Sequence, residues 1–291
     1  MVVFYFVRHG ESTDNLRPVW AGWEDAPLSN HGMNQARALG ASLASTKFTA
    51  IHASDLKRAH STALALADGQ TPKLPVDTTP LLREQHFGIA EGKPWSAATT
   101  PETILSTKTK QELYAEGVYP VIYARNEKFP YGESLNDLAK RAEDALRACV
   151  LPHLVEEQQD ASIGIVSHGL CISELIAALV RKDKDRTGAG RDFKGLLNTA
   201  WTKVEVHTAG PANAPEEWPP LVVRVTDVNR HEHIDKIKRQ KGGIGSAAHD
   251  PKQKDIRAFF GGGAAAATDD AVELPEEGRS ESNARDEVGR L

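Results

Sequence analysis

Cysteine is scarce in this chain: Cys149 and Cys171 are the only two among 291 residues. That count excludes a disulfide-stapled scaffold. Both cysteines fall in apolar stretches that read as helices, where a thiol serves as small apolar filler, and this fits a reducing compartment. Long hydrophobic runs are missing as well. None approaches the roughly 20 residues that a membrane-spanning helix needs, so no membrane association is expected. The first residues form a strand with no basic flank or cleavage pattern, so no secretory leader is expected. Metal-ligand spacing is absent: the eleven histidines are scattered, and His231-Glu232-His233 lies in a stretch that reads as tail. An excess of positive charge is lacking too. Residues 1–228 hold 24 basic and 28 acidic side chains, so direct nucleic-acid binding by this part is not indicated. What remains, 40% hydrophobic and 26% charged, is ample for one sizeable core.

The most informative stretch is Arg8-His9-Gly10-Glu11-Ser12, which ends the apolar run Val2-Val3-Phe4-Tyr5-Phe6-Val7. A strand rich in β-branched and aromatic residues delivers an arginine and a histidine to its carboxyl end, where open α/β sheets bind ligands. An imidazole beside a fixed guanidinium suits attack on a phosphoryl group: Arg8 holds oxygens while a ring nitrogen of His9 attacks phosphorus. A second strand, Ala50–Ala53, leads to Ser54-Asp55-Leu56-Lys57-Arg58. There Ser54 or Asp55 is expected to cap a helix running through Ala67, which puts Arg58 in the first turn. A helix N-terminus favours anions, and a guanidinium there adds a charge clamp. A third strand, Ser162–Val166, is followed by Ser167-His168-Gly169 and an apolar helix from Leu170 to Val180. His168 is thereby expected at the same sheet edge as His9. Glu84 brings a carboxyl group in a loop after Leu81-Leu82.

In this order the four segments resemble the histidine phosphatase superfamily, also called the phosphoglycerate mutase-like family. Arg8-His9-Gly10 is similar to its signature, Gly22-Trp23 with Pro27-Leu28-Ser29 and Gly32 to its next segment, and Ser54–Ala59 to the stretch carrying its second arginine. Ser167-His168-Gly169 is similar to the second-histidine motif, and Pro130-Tyr131-Gly132-Glu133-Ser134 to the Pro-x-Gly-Glu-Ser that opens a long helix. The resemblance covers roughly residues 1–228. It implies a three-layer α/β/α fold with a mostly parallel, doubly wound sheet. It also implies that Asn15 contacts phosphate and that Glu84 is the proton donor, although Glu91 lies nearby and donors in this family move among loops. On that basis His9 attacks a phosphate monoester in line with the leaving oxygen. Arg8, Arg58, Asn15 and His168 spread the charge of the phosphoryl group in flight. Glu84, kept protonated by burial or by the incoming phosphate, protonates the alkoxide and then activates the water that hydrolyses phosphohistidine. The cationic side chains neutralise the charge, so neither a metal nor another cofactor is expected.

Residues 92–131 read as an insertion over the site, which in this family sets substrate choice. The family's glycolytic mutases carry an arginine after the donor glutamate and a paired-arginine segment that grips a second phosphate. Here Gln85 follows Glu84, and Lys93, Lys108, Lys110, Arg125 and Lys128 are spread apart. A phosphatase acting on a phosphorylated small molecule or peptide is therefore expected, closest to the family's broad-specificity members. Mutase-type phosphoryl transfer is one alternative. A phosphate-recognising binding module in a nuclear or transcription complex is another, since the family includes members placed in transcription complexes.

From Asn229 the periodicity fades and 229–291 reads as a low-complexity tail, which beyond Gly261 turns Gly/Ala-rich and then acidic and is expected to be disordered. Residues 229–260 hold eight basic and four acidic side chains, and 264–291 hold three and eight. Within the basic half, Gln253-Lys254-Asp255-Ile256-Arg257-Ala258-Phe259-Phe260 resembles the PIP box that docks eukaryotic proteins on the DNA sliding clamp. A helical turn would gather Ile256, Phe259 and Phe260 into a three-pronged plug, with Gln253 as a polar contact. Docking on the clamp, stapling of the tail onto the domain and binding of an unrelated partner all stand as readings. Lys236–Lys241 is a small basic cluster, so the expected location is cytoplasmic, nuclear or both.

Overall fold

A computed structural model describes residues 1–96, 108–155, 160–185, 193–211 and 217–252. Residues Met1–His249 form one compact unit, and the remainder is a second unit, of which the structure describes only 250–252. The compact unit contains a six-stranded sheet ordered β3-β2-β6-β1-β7-β8. Its strands are β1 (Val2–Arg8), β2 (Phe48–Ser54), β3 (Val76–Thr79), β6 (Ala161–Ser167), β7 (Trp201–Thr208) and β8 (Leu221–Arg230). Strands β3, β2, β6 and β1 run parallel, and β7 lies antiparallel to both β1 and β8. Two short strands, β4 (Trp95–Ser96) and β5 (Tyr119–Pro120), pair separately in the insertion.

Period-two alternation along β1 explains the layers. Phe4 and Phe6 enter one core with Ile163 and Ile165 of β6, while Val7 enters the opposite core with Val166. The first core is covered by α4 (Leu135–Cys149), the short α5 (Leu151–Val155) and α6 (Gly169–Arg181). The second is covered by α1 (Asn30–Ser42) and α2 (Lys57–Asp68). The insertion adds α3 (Lys110–Ala115). Helix starts are chemically marked: Ser29 accepts the Gly32 N–H at α1, and Ser134 forms a reciprocal capping box with Asp137 at α4. No helix among the described residues is long and apolar enough to cross a membrane.

Two expectations are corrected. Neither Ser54 nor Asp55 caps α2: the N-cap position is Leu56, which has no capping side chain, and the Lys57 N–H is taken by Asp25 Oδ1 at 2.6 Å. Asp55 is instead held by a two-pronged pair with Arg83. The boundary expected at 228 also moves. Strand β8 continues to Arg230, and residues 231–249 lie against α1 as turns and short 3₁₀ helices. There Asn30 N–H donates to the Ala247 carbonyl and His249 N–H to that of Leu28. This segment lacks periodicity because hydrogen bonds to residues far away in the same chain hold it, not an amphipathic face. The PIP-box-like residues 253–260 lie outside the described residues.

Candidate active site

The carboxyl ends of β1, β2 and β6 converge, and each parallel strand hands its next residues to the same crevice. His9 follows β1 and is 4% exposed. Its Nδ1 lies 2.6 Å from the Gly10 carbonyl oxygen. A carbonyl can only accept, so Nδ1 carries the proton and Nε2 of the neutral ring keeps its lone pair. Burial, followed by the Arg58 and Arg8 guanidiniums, holds His9 well below the usual histidine range despite the opposite pull of Gly10. The ring is thus neutral and nucleophilic at physiological pH. Gly10 must be glycine here, because a Cβ would come 2.6 Å from the Gly32 carbonyl oxygen.

His168 is the N-cap residue of α6 and its ring centroid is 4.9 Å from that of His9. Its Nε2 meets Ser54 Oγ at 2.9 Å, and Ser54 Oγ also accepts the Leu56 N–H. The assignment that satisfies all three has Ser54 donating to Nε2, which leaves the ring proton on Nδ1. Burial, Arg58, His9, Arg8 and Arg141, in falling order, push this ring well below the histidine range too. His168 Nδ1 and Arg8 Nε are both buried without a hydrogen-bond partner. Unsatisfied donors on either side of His9 are what an anionic oxygen would satisfy.

Arg58 is 2% exposed in the first turn of α2, its guanidinium fixed by the Glu24 and Gly22 carbonyls at 2.8 and 2.6 Å. Arg8 is fixed by the Leu196 carbonyl at 2.5 Å. Burial lowers both arginines, and Glu84 opposes that in each. Glu84 takes the role that an N-cap side chain would fill for α6: its carboxylate accepts the Leu170 and Cys171 N–H groups at 3.2 and 3.1 Å, and that of Gln85 at 3.0 Å. A Cβ on Gly169 would lie 3.9 Å from both Arg8 Nε and Glu84 Oε2, so acid and guanidinium face each other across that glycine. Glu91, the other carboxyl considered, is occupied by the N–H groups of Trp23, Glu24 and Phe87. Asn15 sits at the rim, its Oδ1 accepting from Ser12 N–H and Asn198 Nδ2, which leaves its NH₂ as the free end. The structure therefore gathers Arg8, His9, Asn15, Arg58, Glu84 and His168 around one crevice. No group of three His, Cys, Asp or Glu residues suited to a metal is found among the described residues.

Three supporting residues were not foreseen. Arg141 donates to the Leu81, Arg83 and Glu84 carbonyls and forms a two-pronged pair with Glu133, holding the Glu84 loop. Asn198 donates to the His9 carbonyl at 3.1 Å as well as to Asn15. Arg239 pairs with Glu11. The only sequence signal was for Arg141: a glutamate opening a helix, with a cation two turns on.

A model of the histidine phosphatase superfamily (branch 1) matches residues 4–214. The chain belongs to the histidine phosphatase superfamily. Among curated superfamily relatives, probable phosphoglycerate mutase GpmB of Yersinia pestis (strain Pestoides F) is 30% identical over 180 residues, covering 62% of this chain and 75% of the relative. The corresponding protein of Serratia proteamaculans (strain 568) is 31% identical over the same length and shares. Among solved structures, mycobacterial glucosyl-3-phosphoglycerate phosphatase in complex with VO3 superposes with a TM-score of 0.58 at 25% identity, covering 78% of this chain and 98% of that one. YhfR of Bacillus stearothermophilus gives 0.54 at 25% identity, covering 81% of this chain and 100% of the other.

Proposed function

We propose that this superfamily member is a phosphomonoester hydrolase that works through a phosphohistidine on His9 Nε2, not a mutase. The observation that carries the reading is how the insertion spends its positive charge. Of the five basic residues between 92 and 131, Lys108 pairs with Glu116, Lys110 with Glu127, Arg125 with Glu174 and Lys128 with Asp137. Gln85, where the mutases carry arginine, is 8% exposed and donates to the Glu133 carbonyl. A mutase must retain a doubly phosphorylated intermediate long enough to return the phosphoryl group, which takes unspent cations beyond the first phosphate site. Lys93 is the one cation of the five outside these pairs, and a single exposed lysine grips a second phosphate weakly, so the product alcohol departs and water completes the reaction. The names of relatives point both ways: the curated sequences are named mutase, and the solved structures include both a phosphatase and a phosphoglycerate mutase.

In the forward step His9 Nε2 bonds to phosphorus as the ester oxygen leaves with the Glu84 proton. Arg8, Arg58, His168 and Asn15 carry the equatorial oxygens. In the second step Glu84 takes a proton from water, whose oxygen displaces His9. The test is phosphate release from sugar phosphates, phosphoglycerates, nucleotides and phosphopeptides in the presence of a chelator. Release faster than label exchange between phosphoglycerates is expected. Exchange outrunning release would assign a mutase, and no release on any substrate would favour a phosphate-recognising binding module.

For the tail, we propose docking of 253–260 on a DNA sliding clamp. A peptide spanning 250–263 should bind purified clamp in titration calorimetry, and Phe259→Ala with Phe260→Ala should abolish the heat. A signal unaffected by the double substitution would remove the clamp from consideration.

A further inference from the structure

The loop that carries His9 is held along its backbone by hydrogen bonds from distant parts of the chain. His9 N–H donates to the Ser167 carbonyl, and the His9 carbonyl accepts from Thr199 N–H and Asn198 Nδ2. Gly10 N–H donates to Thr62 Oγ1, Glu11 N–H to Gln35 Oε1, and the Glu11 carbonyl accepts from Ser29 N–H. The Gly10 carbonyl that receives the His9 Nδ1 proton belongs to the same peptide plane as the Glu11 N–H. Whatever orients Glu11 thus orients the acceptor that selects the His9 tautomer.

Glu11 is 9% exposed. Its Oε1 accepts from the Ser29 hydroxyl at 2.6 Å and from Arg239 Nη1 at 2.9 Å, while its Oε2 takes Arg239 Nη2. Burial pushes the carboxyl up, and the hydrogen bonds from Arg239 and Ser29 more than reverse it. The same distal segment grips the other side of the loop, where His233 Nε2 meets Thr199 Oγ1 at 3.0 Å. That hydroxyl donates to the Asn198 carbonyl, so His233 supplies the proton. The distal segment therefore makes two polar contacts with residues that frame His9.

We propose that Arg239 is a positioning residue for catalysis, holding Glu11 by a two-pronged pair so that the Gly10 carbonyl keeps His9 in the tautomer with a free Nε2. Removing Arg239 leaves a nearly buried carboxylate with only the Ser29 hydroxyl, and it draws the Glu11 N–H away from Gln35 Oε1, which turns the Gly10–Glu11 peptide. His9 then samples both tautomers, and only one of them is nucleophilic at the phosphate.

The test uses the full chain with ¹⁵N-labelled histidine, comparing native protein with Arg239→Ala, Arg239→Lys and Glu11→Gln. In Arg239→Ala the His9 ring signals should change from one tautomer to a mixture. The kcat for p-nitrophenyl phosphate should fall about 10–100-fold, as displaced catalytic groups typically do. The inhibition constant for inorganic phosphate should stay within about twofold, since Arg8 and Arg58 are untouched. Arg239→Lys should recover part of kcat by restoring the charge without the fork. An unchanged His9 tautomer pattern in Arg239→Ala overturns the proposal whatever the rate does. So does a parallel loss of phosphate affinity and kcat. If Arg239→Ala fails to fold, Glu11→Gln, which keeps the side-chain shape, decides on the same two readouts. The rate arm rests on the hydrolase reading. Should the native chain hydrolyse nothing, that reading fails, while the tautomer comparison still judges the role of Arg239.

Discussion

Replacing His9 with alanine is expected to lower phosphate release by about 10⁴-fold or more, as loss of an attacking group does in other covalent catalysts. Arg8, Arg58 and His168 are each fixed by partners other than His9, so the variant should still bind phosphate. Brief exposure of native protein to ³²P-labelled substrate should leave acid-labile, base-stable label on His9, and His9→Ala should carry none. Turnover surviving in the variant would transfer the nucleophile to another residue. The substitution has a thermodynamic signature as well. Burial and two guanidiniums keep folded His9 neutral at pH values where an unfolded histidine, with a pKa of about 6.5, takes up a proton. Below that pH the unfolded state holds the extra proton and stability falls, by about 1.4 kcal/mol per pH unit for one such group, until the folded ring titrates. Urea unfolding at pH 7 and pH 5 should show His9→Ala losing less stability on acidification than native protein.

Glu84→Gln is the second large effect. Without a proton to give, the enzyme should lose about 10²–10⁴ in kcat on alkyl phosphates, the usual worth of a positioned general acid. The loss should shrink sharply on p-nitrophenyl phosphate, whose leaving group departs without help. A uniform loss on both substrates would make Glu84 a scaffold for α6 and not the acid. Because the carboxylate caps Leu170 and Cys171, the amide can satisfy only part of that N-terminus. A stability cost of about 1–3 kcal/mol should accompany the change. Glu91→Gln is the matching control: its carboxylate serves the N–H groups of Trp23, Glu24 and Phe87, so the leaving-group dependence of the rate should stay as in native protein.

The fold was legible wherever local chemistry and tertiary placement agree. The apolar runs at β1 and β6 each end in a histidine and a glycine, and strand burial together with the sheet edge accounts for both. Ser134 opens α4 as the 130–134 segment indicated, because capping is a contact spanning three residues. Helix α2 defeated the same reasoning, since its first N–H is served by Asp25, 32 residues away, and nothing near Leu56 records that. The supporting residues are remote in the same sense. Arg141 reaches Glu84 across 57 positions, Asn198 reaches His9 across 189 and Arg239 reaches Glu11 across 228. The segment 231–249 read as tail for a related reason: scattered ion pairs and hydrogen bonds to distant residues leave no repeating pattern. The spread cations of the insertion were visible as a list of residues, but their carboxylate partners emerged only with the three-dimensional arrangement.

Strand β1 is the first element of the chain, yet it is central in the sheet, flanked by β6 and β7. During synthesis both of its edges must wait, one for residues 161–167 and the other for residues 201–206. The Leu196 carbonyl that fixes Arg8 and the Arg239 that holds Glu11 emerge later than most of the domain. Such long sequence separations slow folding and leave strand edges open in the meantime. The crevice at the end of β1 is therefore completed only by residues made long after His9. A chain ending between Gly169 and Arg239 would hold Arg8, His9, Arg58, Glu84 and His168 yet lack the cation that pairs with Glu11.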